Sequence, residues 1–170
     1  MPRIELRWPL TDDRLREQIS YLEGVLWADP TRRQHGDPDD IDPLTDGTCA
    51  FWRGLLETAG YIAILAAGGG DRVYPRIDLR AGYPILMKLI SFIEGRLRPS
   101  LTVLIGQGRL VAPAWDEDGS VAERCATGIF RVTGAKAQQL CRILYPPDST
   151  VGRESIRERV DQILTWTPRR

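Results

Sequence analysis

Histidine is nearly absent from this chain, with His35 the only one among 170 residues. That lone imidazole sits in the polar run TRRQHGDPDD and reads as a solvated side chain. Its isolation excludes a histidine-held zinc water, a Ser-His or Cys-His couple, and histidine-based nuclease chemistry. Any catalysis must therefore run on carboxylates, arginine, lysine or a bound metal. Cysteine is scarce too. Cys49, Cys125 and Cys141 are too widely spaced for a disulfide framework or a zinc site and fit reduced thiols. No apolar run is long enough to cross a membrane, and MPRIELRWPL carries charges where a signal peptide would be apolar. A cytoplasmic protein with no membrane contact is expected.

Lysine is the third scarcity. Lys88 and Lys136 are the only two, so arginine supplies nearly all of the 23 positive charges, which 23 acids balance to a net charge of zero. Genomic base composition explains such a bias simply. The functional alternative is that the planar guanidinium suits phosphates and guanine edges. Which applies depends on whether the arginines share a face.

Along the chain, TDDRLREQISYLEGVLWAD begins with Thr11 as an N-cap and acids in its first turn, and Leu15, Ile19, Leu22 and Leu26 fall on one helical face. Residues 30–48 are polar and proline-marked and read as a long surface loop. A helix over 49–59 follows, with Gly60 as its stop. YIAILAA is strand-like, GGGD is a turn, and RVYPRIDLR alternates. Val73, Pro75, Ile77 and Leu79 lie on one side of it. Tyr74, Arg76, Asp78 and Arg80 lie on the other, the pattern of a half-buried strand with an arginine-bearing open face. Pro75 suggests an edge position or a bulge. Pro84 opens a helix whose buried stripe is Ile85, Leu86, Leu89, Ile90 and Ile93. SLTVLI and RLVAPAW read as a further strand or hairpin, and ERCATGIFRVT as a long strand. AKAQQLCRILY is a helix stopped by Pro146 and Pro147. A last helix begins near Thr150, with Ile156, Val160, Ile163 and Leu164 inward. No internal repeat is evident. The order over 49–145 is helix, strand, strand, helix, strand, strand, helix. It predicts an α+β domain with helices on one face of a four-stranded antiparallel sheet. Residues 1–48 form an arm, helix and polar loop, and residues 49–170 the main domain.

The stretch WRGLLETAG, Trp52 to Gly60, resembles the nine-residue signature of the LAGLIDADG homing endonucleases. Gly54, Leu55, Leu56, Glu57 and Gly60 stand in register with its glycine, two apolar residues, first acid and final glycine, and the element order matches that family's αββαββα core. The resemblance implies a saddle-shaped sheet lying along the major groove of double-stranded DNA, or on structured RNA. Arg72, Tyr74, Arg76, Asp78, Arg80, Arg124 and Arg131 are the candidate DNA-contacting residues. Arg124 and Arg131 have opposite strand parity and need a bulge to share a face. The resemblance also implies that two signature helices pack closely along their axes, from two subunits or from two halves of one chain. With one motif found, a homodimer is expected, with Gly54, Leu55 and Thr58 at its interface.

Cleaving members carry an acid at the second-to-last signature position, where it ligates magnesium. Here that position is Ala59, so cleavage is expected to be lost or weakened, as in the regulators and intron maturases built on this fold. Glu57 matches the first acid but points roughly 200° around the helix from position 59, which suits hydrogen bonding near the helix end. Asp71, Asp78 and Lys136 are the other residues that would serve a catalytic centre. The alternatives are an active Mg2+-dependent homing endonuclease with a substitute acid, and a protein-interaction module of similar topology. Zero net charge and a pI of about 6.6 favour the latter.

Overall fold

A computed structural model of the chain describes residues 12–42, 47–66, 73–96 and 127–168. Its elements in order are α1 (Asp12–Trp27), α2 (Pro30–His35), a 3-10 turn (Pro38–Asp40), α3 (Cys49–Ala59), β1 (Gly60–Ala66), β2 (Val73–Gly82), α4 (Tyr83–Glu94), β3 (Thr127–Thr133), α5 (Ala135–Leu144) and α6 (Glu154–Leu164). This is a mixed α+β fold with a three-stranded antiparallel sheet in the order β1-β2-β3 among the described residues. The strand expected over SLTVLI and RLVAPAW lies outside them, as do the arm before Asp12 and the GGGD turn.

Several helix ends have a local cause. Thr48 accepts a hydrogen bond from the Phe51 amide at 3.1 Å and so caps α3. Gly60 closes that helix in an extended conformation, and its value lies in proximity. A Cβ there would stand 2.6 Å from the Leu56 carbonyl and 2.9 Å from that of Asp78. The stretch read as a plain loop after α1 instead holds two short helical turns. Asp29 and Asp37 cap them, each followed by a proline whose fixed φ already suits the first helical position.

Ile62 of β1 pairs with Ile77 of β2, which pairs with Val132 of β3. These residues, with Leu79 and Phe130, form the buried face of the sheet. Phe51, Trp52, Leu55 and Leu56 of α3 join the same core, as do Leu86 and Leu89 of α4, Leu140 and Leu144 of α5, and Val160 and Ile163 of α6. The stripe expected on α4 is buried as expected, with Phe92 added to it. Pro75 sits neither on an edge strand nor at a bulge, because β2 is the middle strand. Pairing with β3 starts only at Arg76, and the Pro75 carbonyl accepts from the Gly134 amide at 2.8 Å. In a strand the missing N–H points the same way as that carbonyl, past the end of the ladder, so the sheet loses no bond there. Gly134 itself has φ 61, a left-handed conformation that turns β3 into α5 without the clash a Cβ would bring.

The first helix inverts the expected pattern. Leu15, Ile19, Leu22 and Leu26 do share a face, but they are 43, 51, 40 and 58 % exposed. The buried side of α1 is Gln18, Ser20, Tyr21, Gly24 and Trp27, and it is packed along α3.

Candidate nucleic-acid interface and the helix pair behind it

The open face of the sheet is built by strand alternation. Tyr74, Arg76, Asp78 and Arg80 of β2 point to it, and the register places Tyr61 of β1 and Arg131 of β3 on either side of Asp78. Asp78 is bridged by two arginines. Arg76 Nε donates to Oδ2 at 2.9 Å, while Arg131 donates from Nε to Oδ1 at 2.8 Å and from Nη2 to Oδ2 at 3.0 Å. Partial burial works against ionisation of Asp78, but the hydrogen bonds from Arg76 and Arg131 outweigh it and hold the carboxyl below its ordinary value. The hydrogen bond to Asp78 likewise raises the Arg76 guanidinium above its ordinary value. Arg80 and Tyr61 are exposed, and the Arg131 side chain keeps 43 % of its surface open. Among the described residues, three arginines against one carboxylate leave this face positive. Arg72, Arg124 and Asp71 lie outside the described residues. Lys136 is in the first turn of α5, directly after β3 and Gly134.

Behind the sheet, α3 is pressed against α1 of the same chain. A Cβ on Gly54 would stand 2.2 Å from the Tyr21 carbonyl oxygen, and one on Gly24 would stand 2.0 Å from that of Phe51. The two contacts are mirror statements of each other. Gly24 precedes Gly54 by the same 30 residues that separate Tyr21 from Phe51. Around them YLEGVL and FWRGLL share an aromatic, the glycine, an aliphatic and a leucine. The crossing therefore has a local twofold, and the repeat that the sequence reading missed is carried by four positions. The face on which Gly54 and Leu55 would meet a second subunit is already occupied by α1, and both residues are buried there. Thr58 is exposed, and its hydroxyl accepts from Arg153 Nη2 at 3.2 Å.

Glu57 closes the other end of this pair. It is 5 % exposed, and its Oε2 accepts from the Tyr21 hydroxyl at 2.7 Å and from the Arg153 amide at 2.7 Å. Oε1 has no partner and faces the backbone at Gly152, where a Cβ would lie 3.0 Å away. Burial and the carboxylate of Glu57 raise both the Tyr21 and Tyr145 phenols, so both stay protonated at neutral pH. Arg53, 1 % exposed, pairs with Glu17, donates to the Leu144 carbonyl at 2.8 Å and stands 5.7 Å from the Tyr145 ring. Glu57 thus holds α1, α3 and the start of α6 together.

The position 30 residues before Ala59 is Asp29, an exposed acid at the foot of α1. Its Oδ1 accepts from the amides of Thr31 at 3.0 Å and Arg32 at 3.3 Å. Among the described residues no group of three or more His, Cys, Asp or Glu is placed to hold a metal ion, and no helix is long and apolar enough to cross a membrane. A groove of about 800 Å³ beside α1 sets the acids Asp13, Glu17, Asp42 and Asp148 against Arg16 and Arg53, a net negative lining that is a poor seat for phosphate. Comparison with protein-family models, with curated proteins and with solved structures finds no match.

Proposed function

We propose that this chain binds duplex nucleic acid through the open face of its sheet, in the manner that its resemblance to the LAGLIDADG family implies. The observation that carries the reading is the solvent-facing row of Tyr74, Arg76 and Arg80 with Arg131 beside it. Arginine forks there suit phosphates and guanine edges, and a good bidentate pair discriminates by about 1–3 kcal/mol. The close crossing at Gly24 and Gly54 supports the same reading, with both paired helices coming from one chain. A second copy, which a twofold target requires, must then dock elsewhere than on Gly54 and Leu55.

The test is a gel-shift titration against a randomised duplex pool, with calcium, at low and moderate salt. Retention is expected, with log K falling by about 0.9 per phosphate neutralised as log salt rises. The Arg76→Ala, Arg131→Ala double variant is expected to weaken it. Failure to retain any duplex at low salt would end the proposal.

One observation favours a second reading, in which the chain also cuts. Asp29 stands 30 residues before Ala59, just past the end of α1, and would serve as one acid of the family's pair. With Mg2+ bound there, its carboxylate would be a ligand and the metal would activate water. A single acid fits nicking of one strand better than double-strand cleavage. Supercoiled plasmid with magnesium or manganese is the assay. Nicking that Asp29→Ala abolishes and Ala59→Asp increases would establish it, and intact plasmid would leave binding alone.

A further inference from the structure

The apolar stripe of α1 faces away from α3 and is bare among the described residues. Its spacing is informative. Leu15, Ile19, Leu22 and Leu26 are separated by four, three and four residues, the alternation of a coiled-coil seam with Leu15 and Leu22 at d and Ile19 and Leu26 at a. The equivalent side of α3, with Trp52 and Leu56 standing 30 residues after Leu22 and Leu26, is fully buried beneath the sheet. On α1 the same kind of surface is left 40 to 58 % exposed.

We infer that this stripe is the interface between two copies of the chain, with the two α1 helices antiparallel about a twofold axis. The argument is self-complementarity. Laid antiparallel, Leu15 meets Leu26 of the second copy and Ile19 meets its Leu22, so every seam residue finds a partner with none left over. Arg16 and Glu23 occupy the same flank, at e positions, and neither forms an ion pair among the described residues. In the antiparallel arrangement Arg16 comes within about two residues, roughly 3 Å of axial rise, of alignment with Glu23 of the other copy. The twofold then makes that opposite-charge pair twice. A parallel pair would instead set Arg16 against Thr11 and Glu23 against Gln18, with no charge complementarity. The contact is small for a protein interface, so the dimer is weak and concentration-dependent. It does not rest on nucleic-acid binding.

The experiment is sedimentation velocity on the full chain without nucleic acid, from micromolar to millimolar concentration. A monomer–dimer equilibrium is expected, with the dimer weakened at least tenfold in the Ile19→Asp, Leu22→Asp variant, whose sites are exposed in the monomer. Arg16→Glu and Glu23→Arg should each weaken association several-fold, and the double exchange should restore it. This surface charge series remains decisive if the aspartate variant fails to fold. A monomer at every concentration would mean that something other than a second copy covers the stripe, and would overturn the inference. So would a dimer indifferent to these substitutions, or a double exchange that restores nothing.

Discussion

A methyl group added to Gly54 would land 2.2 Å from a backbone oxygen of α1, and backbone cannot swing aside as a side chain can. At an exposed helix site Gly→Ala stabilises by about 1 kcal/mol, because alanine loses less backbone freedom. Here the sign reverses. Relieving the clash requires α1 to move off α3, and overpacking of this kind costs about 1–3 kcal/mol. Gly54→Ala is therefore expected to lower the urea midpoint at unchanged slope, and any stabilisation would contradict the close crossing. Tyr21 gives a second residue-scale test. Its hydroxyl donates to a buried carboxylate, a bond of about 1.5–3 kcal/mol, so Tyr21→Phe should lose that much. The difference should depend on pH. Burial and Glu57 keep the folded phenol protonated beyond its ordinary range. The unfolded chain releases that proton at about pH 10, so above that pH the wild type loses stability through Tyr21 as well as through Tyr145, and the Phe variant through Tyr145 without the Tyr21 part. The gap between the two should narrow there.

Among the elements, β2 and α4 were the most legible in the sequence and α1 the least. Alternation in RVYPRIDLR identified both faces of β2, because side-chain direction in a strand is fixed by the pleat. The stripe of α4 and its opening proline were equally plain. Helical periodicity told which residues of α1 lie together, yet not which neighbour they meet. The tight crossing at Gly24 won the other side of that helix for the interior. The turns at Asp29 and Asp37 were hidden by reading proline as a breaker when it stood at a helix start. The pairing of Gly24 with Gly54 was written in the sequence too, but four shared positions become a contact only once the helices are seen to cross.

Asp78 is where β2 and β3 are tied side chain to side chain, and it sets the next prediction. Its folded pKa lies below the unfolded value, so its stabilising effect is complete above the ordinary carboxylate range. That effect fades as acid protonates the folded group. Asp78→Asn should remove the part of the acid-induced loss of stability that belongs to this carboxylate. It also releases Arg76 and Arg131 from their shared partner. If the open face binds duplex nucleic acid, the variant should bind more tightly at low salt, with a steeper salt dependence. Weaker binding by a folded Asp78→Asn protein would mean that Asp78 positions these arginines and does not merely mask them.

For the molecule as a whole, the question is whether α1 is an appendage or part of the core. Position in the chain suggests an appendage, since α1 precedes the sheet and carries its apolar stripe outward. The contacts argue otherwise. Gly24 and Gly54 interlock, Glu57 joins Tyr21 of α1 to the start of α6, and Arg53 links Glu17 of α1 to the end of α5. Removing α1 would leave Arg53 and Glu57, both almost wholly buried, without partners on that side, and stranding buried charges destabilises by about 3–5 kcal/mol. The helix should therefore open only when the rest of the fold opens. Native-state hydrogen exchange read by peptide fragments tests this directly. The central amides of α1 and α3 are expected to exchange with the same opening free energy and the same denaturant slope, as members of one cooperative unit. Exchange of α1 at markedly lower free energy would separate it from the core and make Gly54 a packing site that tolerates the loss of its neighbour.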